Sequence, residues 1–187
     1  MKIIFVVNEL DFFIRTHLNL ARNINQTHEV EVIADTSKSS TKNLDLVEKM
    51  GIKLHILDRK KNSKSILSYP SFIFSLLMLL RKIKPDYVFY ITLEISFFGS
   101  LIAYFLKIKK SIFIVTGLGP FFFKKEFKYR FFNILQRYGF KLLSIFRNNF
   151  HFIFLNSADK KLLPSLYKIN SSNFSVIHGE GINELEF

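Results

Sequence analysis

The 187-residue sequence predicts an α/β fold, a doubly wound and mainly parallel sheet of about seven strands. Two observations carry that prediction. Short runs rich in Val, Ile and Phe alternate with longer segments of helical spacing along the chain. The short runs are near-continuously apolar rather than alternating, which is the pattern of parallel strands covered on both faces. With 49% hydrophobic residues, the chain has ample material for one core of ordinary domain size.

The expected strands are Lys2–Val7, Glu29–Ala34, Lys53–Ile56, Tyr87–Ile91, Ser111–Val115, His151–Leu155 and Phe174–Ile177. Between the first two, Leu10, Phe13, Ile14, Leu18, Ala21 and Ile24 follow the spacing of one helix face. Thr41 to Met50 forms the next helix, with Gly51 as its C-terminal cap. Ile66 to Ile83 is a long apolar helix that Lys84-Pro85-Asp86 stops. Ser96 to Leu106 is apolar nearly all round, Phe127 to Phe146 is long and amphipathic, and Asp159 to Tyr167 is short. Right-handed crossovers turn this order into a Rossmann-like sheet. Asp58 to Ser65 is a polar, basic loop.

Composition narrows the function. There is no cysteine, hence no disulfide framework, thiolate metal site or Cys nucleophile. Tyr69–Leu80 is too short to span a bilayer, and Ile91–Leu106 is interrupted by Glu94, Ser96, Gly99 and Ser100. The apolar run after Met1 is too short for a signal-peptide core. The formal charge is +12, from 27 basic and 15 acidic side chains. Such an excess attracts phosphates, nucleic acid or anionic lipid. A compositional bias toward Lys, Ile, Asn and Phe accounts for it equally well.

Several chemistries are excluded by their missing signatures. Asn8 to Phe13 follows the first strand without a G-x-G-x-x-G, so a dinucleotide dehydrogenase is not expected. No P-loop, G-x-S-x-G elbow or metal-ligand spacing occurs. No aromatic–basic RNA signature occurs either, so nucleic acid is not an expected partner. What remains is the strand–turn segment Ser111 to Phe123. Its apolar run breaks into Thr116-Gly117-Leu118-Gly119-Pro120, with two of the 7 glycines of the chain. Ligands of open α/β sheets bind outside the carboxyl ends of strands, and glycine lets backbone N–H groups approach them. The candidate loops are Asn8–Phe13, Thr92–Ser96, Thr116–Phe123, Asn156–Asp159 and His178–Ile182.

Those loops carry a recognisable set. Phe12-Phe13-Ile14-Arg15-Thr16-His17 is one residue longer than a Phe-Phe-x-x-His element. Lys84-Pro85-Asp86 precedes the fourth strand, and Thr92 to Gly99 is similar to Thr-x-Lys-Pro-x-x-x-Gly. Thr116–Gly119 is a Thr-Gly-Leu-Gly turn. Leu155-Asn156-Ser157-Ala158-Asp159 is similar to Gln-Asn-x-x-Asp, and His178 to Asn183, with Phe187, to Gly-Ser-Gly-Val-Asp…Phe. In this order they resemble the N-terminal domain of family 4 glycosyltransferases of the GT-B fold. The resemblance is to bacterial enzymes that build surface polysaccharides or lipid-linked glycans. Glu94 stands where relatives carry Lys, Leu155 replaces Gln, and Glu180 and Asn183 replace Ser and Asp.

The resemblance implies one half of a GT-B fold, with residues 1–187 as the acceptor-side domain. It implies a nucleotide-sugar donor, UDP-linked, and a polyprenyl-diphosphate-linked acceptor, with retention at the anomeric carbon, no cofactor and no metal. The second, donor-binding domain of such enzymes carries a Glu-x7-Glu pair. The sequence stops at Phe187 before any such pair, so that domain is expected in cis or in trans, and residues 1–187 alone are expected to be inactive. The expected location is cytoplasmic, on the inner face of the bacterial plasma membrane. Contact with anionic lipid is expected through 121–147, whose Lys and Arg side chains flank an apolar face of Phe127, Phe131, Ile134, Leu135, Tyr138, Leu142 and Phe146. The alternative is a non-catalytic subunit that docks a membrane or a separate donor-domain protein.

Each implied site residue has a plainer reading beside it. His17 is either a proton acceptor or a core histidine on the apolar stripe. Glu94 is either a base or a helix-start glutamate favoured by the helix dipole. Thr116, Gly117, Leu118 and Gly119 either cradle a diphosphate or form a tight turn. Arg15 either binds phosphate or is solvated, and Asn156 either meets substrate or caps the helix containing Asp159. Gly179 and Gly181 are the backbone positions expected near the donor diphosphate.

Overall fold

A computed structural model describes residues 1–57, 69–117, 130, 133–134, 136–138, 140, 150–167 and 173–179. The expected strands are present: β1 (Lys2–Val7), β2 (Glu29–Ala34), β3 (Lys53–Ile56), β4 (Tyr87–Ile91), β5 (Lys110–Val115), β6 (Phe150–Phe154) and β7 (Phe174–Val176). They lie in the order β3-β2-β1-β4-β5-β6-β7 in a seven-stranded parallel sheet. The described helices that join them are α1 (Leu10–Thr16), α2 (Leu18–Asn25), α3 (Thr41–Lys49), α4 (Tyr69–Ile83), α5 (Leu93–Leu106) and α6 (Ser157–Tyr167). The chain divides into two compact units, built on Met1–Phe89 and on Tyr90–Gly179.

In the first unit, β1 pairs with β2 from Lys2 against Glu29 to Val7 against Ala34. β2 pairs with β3 from Glu31 against Lys53 to Ala34 against Ile56. Phe5, Val32 and Ile33 are fully buried, as strands covered on both faces require. Phe5 stacks on Phe89 with ring centroids 4.8 Å apart. Asp86 of the Lys-Pro-Asp element anchors the start of β1. Its carboxylate accepts from the Lys2 amide at 3.0 Å, and its own amide donates to the Lys2 carbonyl at 3.0 Å. That element is therefore a structural clasp at the amino ends of the strands, opposite the edge where ligands of such sheets bind.

Glu31 is buried within β2 and joins three strands by charge. Lys2 Nζ lies 3.2 Å from it, and His55 Nε2 bonds its other oxygen. Burial pushes the Glu31 carboxyl upward. The hydrogen bonds and charges of His55 and Lys2 outweigh that and hold it below the usual range.

The helix expected from Leu10 to Ile24 is two helices. The break falls at His17, which ends α1 and begins α2 at φ −125° and ψ −5°. Thr16 back-bonds its hydroxyl to the Phe12 carbonyl at 2.7 Å, a bond that bends helices. The apolar stripe continues across the break, since Leu10, Phe13, Leu18 and Ala21 are all buried. α3 ends as expected on Gly51, at φ 69°. Gly51 N–H donates to Glu48 O at 2.9 Å and Ile52 N–H to Val47 O at 3.3 Å, with Val47 and Ile52 both buried. This pair of hydrogen bonds is a Schellman motif.

The second unit has an aromatic core. Phe113 on β5 meets Tyr90 at 5.4 Å and Phe152 on β6 at 4.9 Å. Phe140 lies 5.4 Å from Phe152 and 5.9 Å from Phe97 of α5. Most of the expected helix Phe127–Phe146 lies outside the described residues. The positions described within it are helical, with Gln136 and Phe140 buried and Ile134 and Tyr138 exposed. The stripe containing Ile134 and Tyr138 is thus open to solvent at those two positions. No helix among the described residues is long and apolar enough to cross a membrane.

Candidate functional site

The carboxyl ends of the strands in the second unit are laced together by backbone. Thr92 N–H, just past β4, donates to Ile114 O of β5 at 3.0 Å. Ile177 N–H, just past β7, donates to Phe154 O at 2.9 Å, and Gly179 N–H donates to Leu155 O at 3.2 Å. The loops carrying Thr92, Glu94, Asn156 and Gly179 are therefore tied to strand ends that also emit Thr116 and Gly117. That is the edge at which ligands of parallel sheets sit.

Thr92 is the unusual residue of this edge. Its φ is 79° and its ψ 150°, a backbone region populated almost solely by glycine. A β-branched residue there carries strain of roughly 1–3 kcal/mol. Ser96 holds the arrangement, since its hydroxyl donates to the Thr92 carbonyl at 2.7 Å and its amide to the same oxygen at 3.0 Å. The conformation starts α5 at Leu93, three residues before the expected Ser96. Glu94 lies in the first turn of α5 and is half-buried, where the helix dipole favours a carboxylate.

Gly117 has φ 155°, and a Cβ added to it would meet nothing within 4 Å. The glycine is therefore required by its backbone and not by a neighbour among the described residues. Gly179 is exposed at φ 75°. Asn156 caps α6. Its Oδ1 accepts from the Asp159 amide at 2.7 Å, and its Nδ2 donates to the Asp159 carboxylate at 2.9 Å. Its plainer reading as a cap accounts for both polar ends of the side chain. Leu118, Gly119 and Gly181 lie outside the described residues.

In the first unit, His17 is 5% exposed, and burial pushes its imidazole down to about 4. It is therefore neutral at pH 7. Its Nδ1 lies 2.5 Å from Thr16 Oγ1. Arg15 is exposed in the last turn of α1, one turn after Asp11. Hydrogen bonds from Ser39 and Asn43 hold Asp11 below the usual range, with a smaller contribution from the charge of Arg15. Among the described residues, no group of three or more His, Asp or Glu side chains is placed to hold a metal ion.

The strain at Thr92 and its brace by Ser96 escape sequence reasoning, which marks the Thr92–Ser96 loop but neither residue. The available signal is the position of Thr92 at the head of the Thr-x-Lys-Pro-like segment directly after a strand.

The family model for glycosyl transferase 4-like proteins matches residues 2–152, most of the chain. The chain belongs to the glycosyl transferase 4-like family. The match takes in Arg15, His17, Glu94 and the Thr116–Gly119 turn, and ends before Asn156, Gly179 and Gly181. No curated protein matches the chain by sequence. Among solved structures, Anabaena Alr3699/HepE in complex with UDP and glucose is 13% identical, at a TM-score of 0.64. It is covered over 45% of its length by 98% of this chain. UDP-GlcNAc 2-epimerase from Neisseria meningitidis, bound to UDP-GlcNAc, is 20% identical at a TM-score of 0.61, with 94% of this chain covering 45% of that one. A glycosyltransferase from Rickettsia africae is 16% identical at 0.57, with 95% of this chain covering 42% of its own. At these identities the likeness is one of fold. This glycosyl transferase 4-like chain spans less than half the length of those structures.

Proposed function

We propose that this chain is the acceptor-side domain of a glycosyltransferase. The full enzyme moves a sugar from a nucleotide-sugar donor, UDP-linked, to a hydroxyl of a lipid-linked glycan or surface-polysaccharide precursor. The family match over residues 2–152 carries this reading. The solved structures of like fold support the donor class, since two of them hold UDP or UDP-GlcNAc. In the transfer, the acceptor oxygen forms a bond to the anomeric carbon, the bond from that carbon to the diphosphate breaks, and the hydroxyl proton passes to a base. His17 is the better of the two expected bases, being neutral at pH 7, whereas Glu94 has a helix-start role that accounts for it. The backbone at Thr116 and Gly117 offers N–H groups to a diphosphate, whereas the Gly179 N–H is held by the Leu155 carbonyl. A donor-binding domain, in cis or in trans, supplies the other wall. No metal takes part.

A second part of the proposal places the protein at the inner face of the plasma membrane. Ile134 and Tyr138 are exposed one helical turn apart, with Arg130 and Arg137 exposed beside them in sequence. Apolar and cationic side chains so combined suit an anionic lipid surface.

The test is an amide NMR titration of residues 1–187 with a short-chain polyprenyl diphosphate and, separately, with UDP. The lipid diphosphate is expected to shift Thr92 and Gly117, UDP to leave those two unmoved, and the chain alone to transfer no sugar. Sugar transfer by the isolated chain overturns the assignment of a single half-site. Vesicle binding without any response to the lipid diphosphate favours the non-catalytic docking subunit instead.

A further inference from the structure

The bonds around the junction of α1 and α2 fix more than a helix bend. Thr16 Oγ1 lies 2.7 Å from the carbonyl oxygen of Phe12 and 2.5 Å from Nδ1 of His17. A carbonyl oxygen only accepts, so the single hydroxyl hydrogen of Thr16 is committed to Phe12. The hydroxyl then has only lone pairs to offer His17, and Nδ1 must be the donor. We infer that Thr16 is a positioning residue: it holds the proton of His17 on Nδ1 and thereby leaves the Nε2 lone pair free to accept from a ligand hydroxyl.

Three observations agree with this assignment. His17 is 95% buried by its 5% exposure, so an imidazolium there lacks solvation. Burial is the one cause acting on its titration, which keeps the ring neutral and therefore singly protonated at pH 7. Nε2 has no hydrogen-bond partner among the described residues, whereas Nδ1 has Thr16. Backbone bonds on each side limit the freedom of the junction: His17 N–H donates to Phe13 O at 2.8 Å, and Ala21 N–H donates to His17 O at 2.9 Å. The tautomer follows from this geometry alone. Only its use, acceptance of the proton of an attacking hydroxyl, rests on the reading of the chain as half of a sugar transferase.

The experiment is 15N–1H correlation of the imidazole rings in residues 1–187 at pH 7, for the wild type, Thr16→Ser and Thr16→Val. The wild type and Thr16→Ser are expected to show a protonated-type nitrogen shift at Nδ1 and an unprotonated-type shift at Nε2. Thr16→Val keeps the β-branched shape but removes the acceptor, and is expected to move His17 toward the Nε2–H tautomer. A wild-type ring protonated on Nε2, or on both nitrogens, overturns the proposal without recourse to any variant. Retention of the wild-type pattern in folded Thr16→Val overturns the role of Thr16. Absence of sugar transfer in a full enzyme carrying His17→Asn, with the tautomer as expected, leaves both readings standing. Undiminished transfer by that variant overturns the use of His17 as base while leaving the tautomer assignment intact.

Discussion

A Cβ added to Gly99 would lie 2.1 Å from Cδ1 and 2.2 Å from Cε1 of Tyr90. Helix α5 approaches the end of β4 so closely that a hydrogen is all the space allows. Tyr90 is fully buried against Phe113, so its ring has no room to retreat. The glycine of the Thr92–Gly99 segment is thus a packing requirement. Gly99→Ala is expected to destabilise the protein by about 1–3 kcal/mol or more, the usual range for an overfilled core. Urea denaturation measures it, and a change below about 0.5 kcal/mol, the scale of a neutral surface substitution, contradicts the contact.

Thr92 supplies the opposite case. Its glycine-like backbone means that Thr92→Gly relieves strain which the wild type carries, against the added chain entropy of a glycine. The expected net effect is a gain of up to about 1 kcal/mol, where Thr→Gly at an ordinary position is a loss. A thermal melt reads it. If the substitution lowers stability by 1 kcal/mol or more, on the scale of an ordinary glycine penalty, the strain does not exist.

The same residues show where sequence reading works and where it stops. The first, second and fourth strands match their expected bounds because their Val, Ile and Phe runs coincide with buried stretches; the third, Lys53–Ile56, matches too, although none of its residues is buried and Ile56 is exposed. The Asn156–Asp159 cap is legible because it is local, an Asn followed three residues later by Asp. The break at His17 is not legible, because the apolar spacing runs through it and both helices bury one stripe. Thr92 is missed because no rule of composition assigns threonine to a glycine region. Gly99 is visible as a motif position, but its reason is a side chain nine residues away that only the fold brings near. Of the expected diphosphate-binding turn, Thr116 and Gly117 are at the strand edge, while the sugar class and acceptor have no signature in the residues at all.

His17 makes stability depend on pH in a defined window. Its folded value, about 4, is below its ordinary 6.5, so between these values the unfolded chain binds a proton that the folded chain does not. Stability therefore rises with pH across that window, is complete above 6.5, and is lost as pH falls from 6.5 toward 4. From pH 7 to pH 5 the loss is about 2 kcal/mol, and His17→Asn is expected to remove most of it. His151, lowered by burial and then by the charge of Lys110, adds a smaller effect of the same sign in both proteins. Equal pH slopes for the variant and the wild type contradict a buried neutral His17.

Glu31 acts in more acid solution. Its carboxyl is held below 4.5 by His55 and Lys2, so the stability it provides is present above 4.5 and is lost as pH falls through its folded value. Glu31→Gln keeps the shape but leaves Lys2 and His55 facing a neutral amide at a site 2% exposed. A loss of roughly 1–3 kcal/mol near pH 7 is expected, because Glu31 is buried but Lys2 is part-exposed and keeps Glu29 at 3.0 Å. As pH falls below 4.5 and through the folded value of Glu31, the difference between variant and wild type should narrow, because the wild-type carboxyl then becomes neutral too. A difference that is constant with pH assigns the loss to packing instead.

Gly117 and Gly99 are glycines for unlike reasons, and a double-mutant comparison separates them. Gly117→Ala meets no atom within 4 Å, so its cost is that of the backbone at φ 155°, about 1 kcal/mol. No change in a neighbouring side chain should recover it. Gly99→Ala clashes with one ring, so Tyr90→Leu should recover part of its loss, with a coupling of about 0.5–3 kcal/mol. If Gly117 also presents its amide to a diphosphate, Gly117→Ala should weaken binding of the short-chain polyprenyl diphosphate while the fold persists. Gly99→Ala combined with Tyr90→Leu should leave that binding close to the wild type. Loss of binding in both alike would place the diphosphate response in the general stability of the second unit and not in the turn after β5.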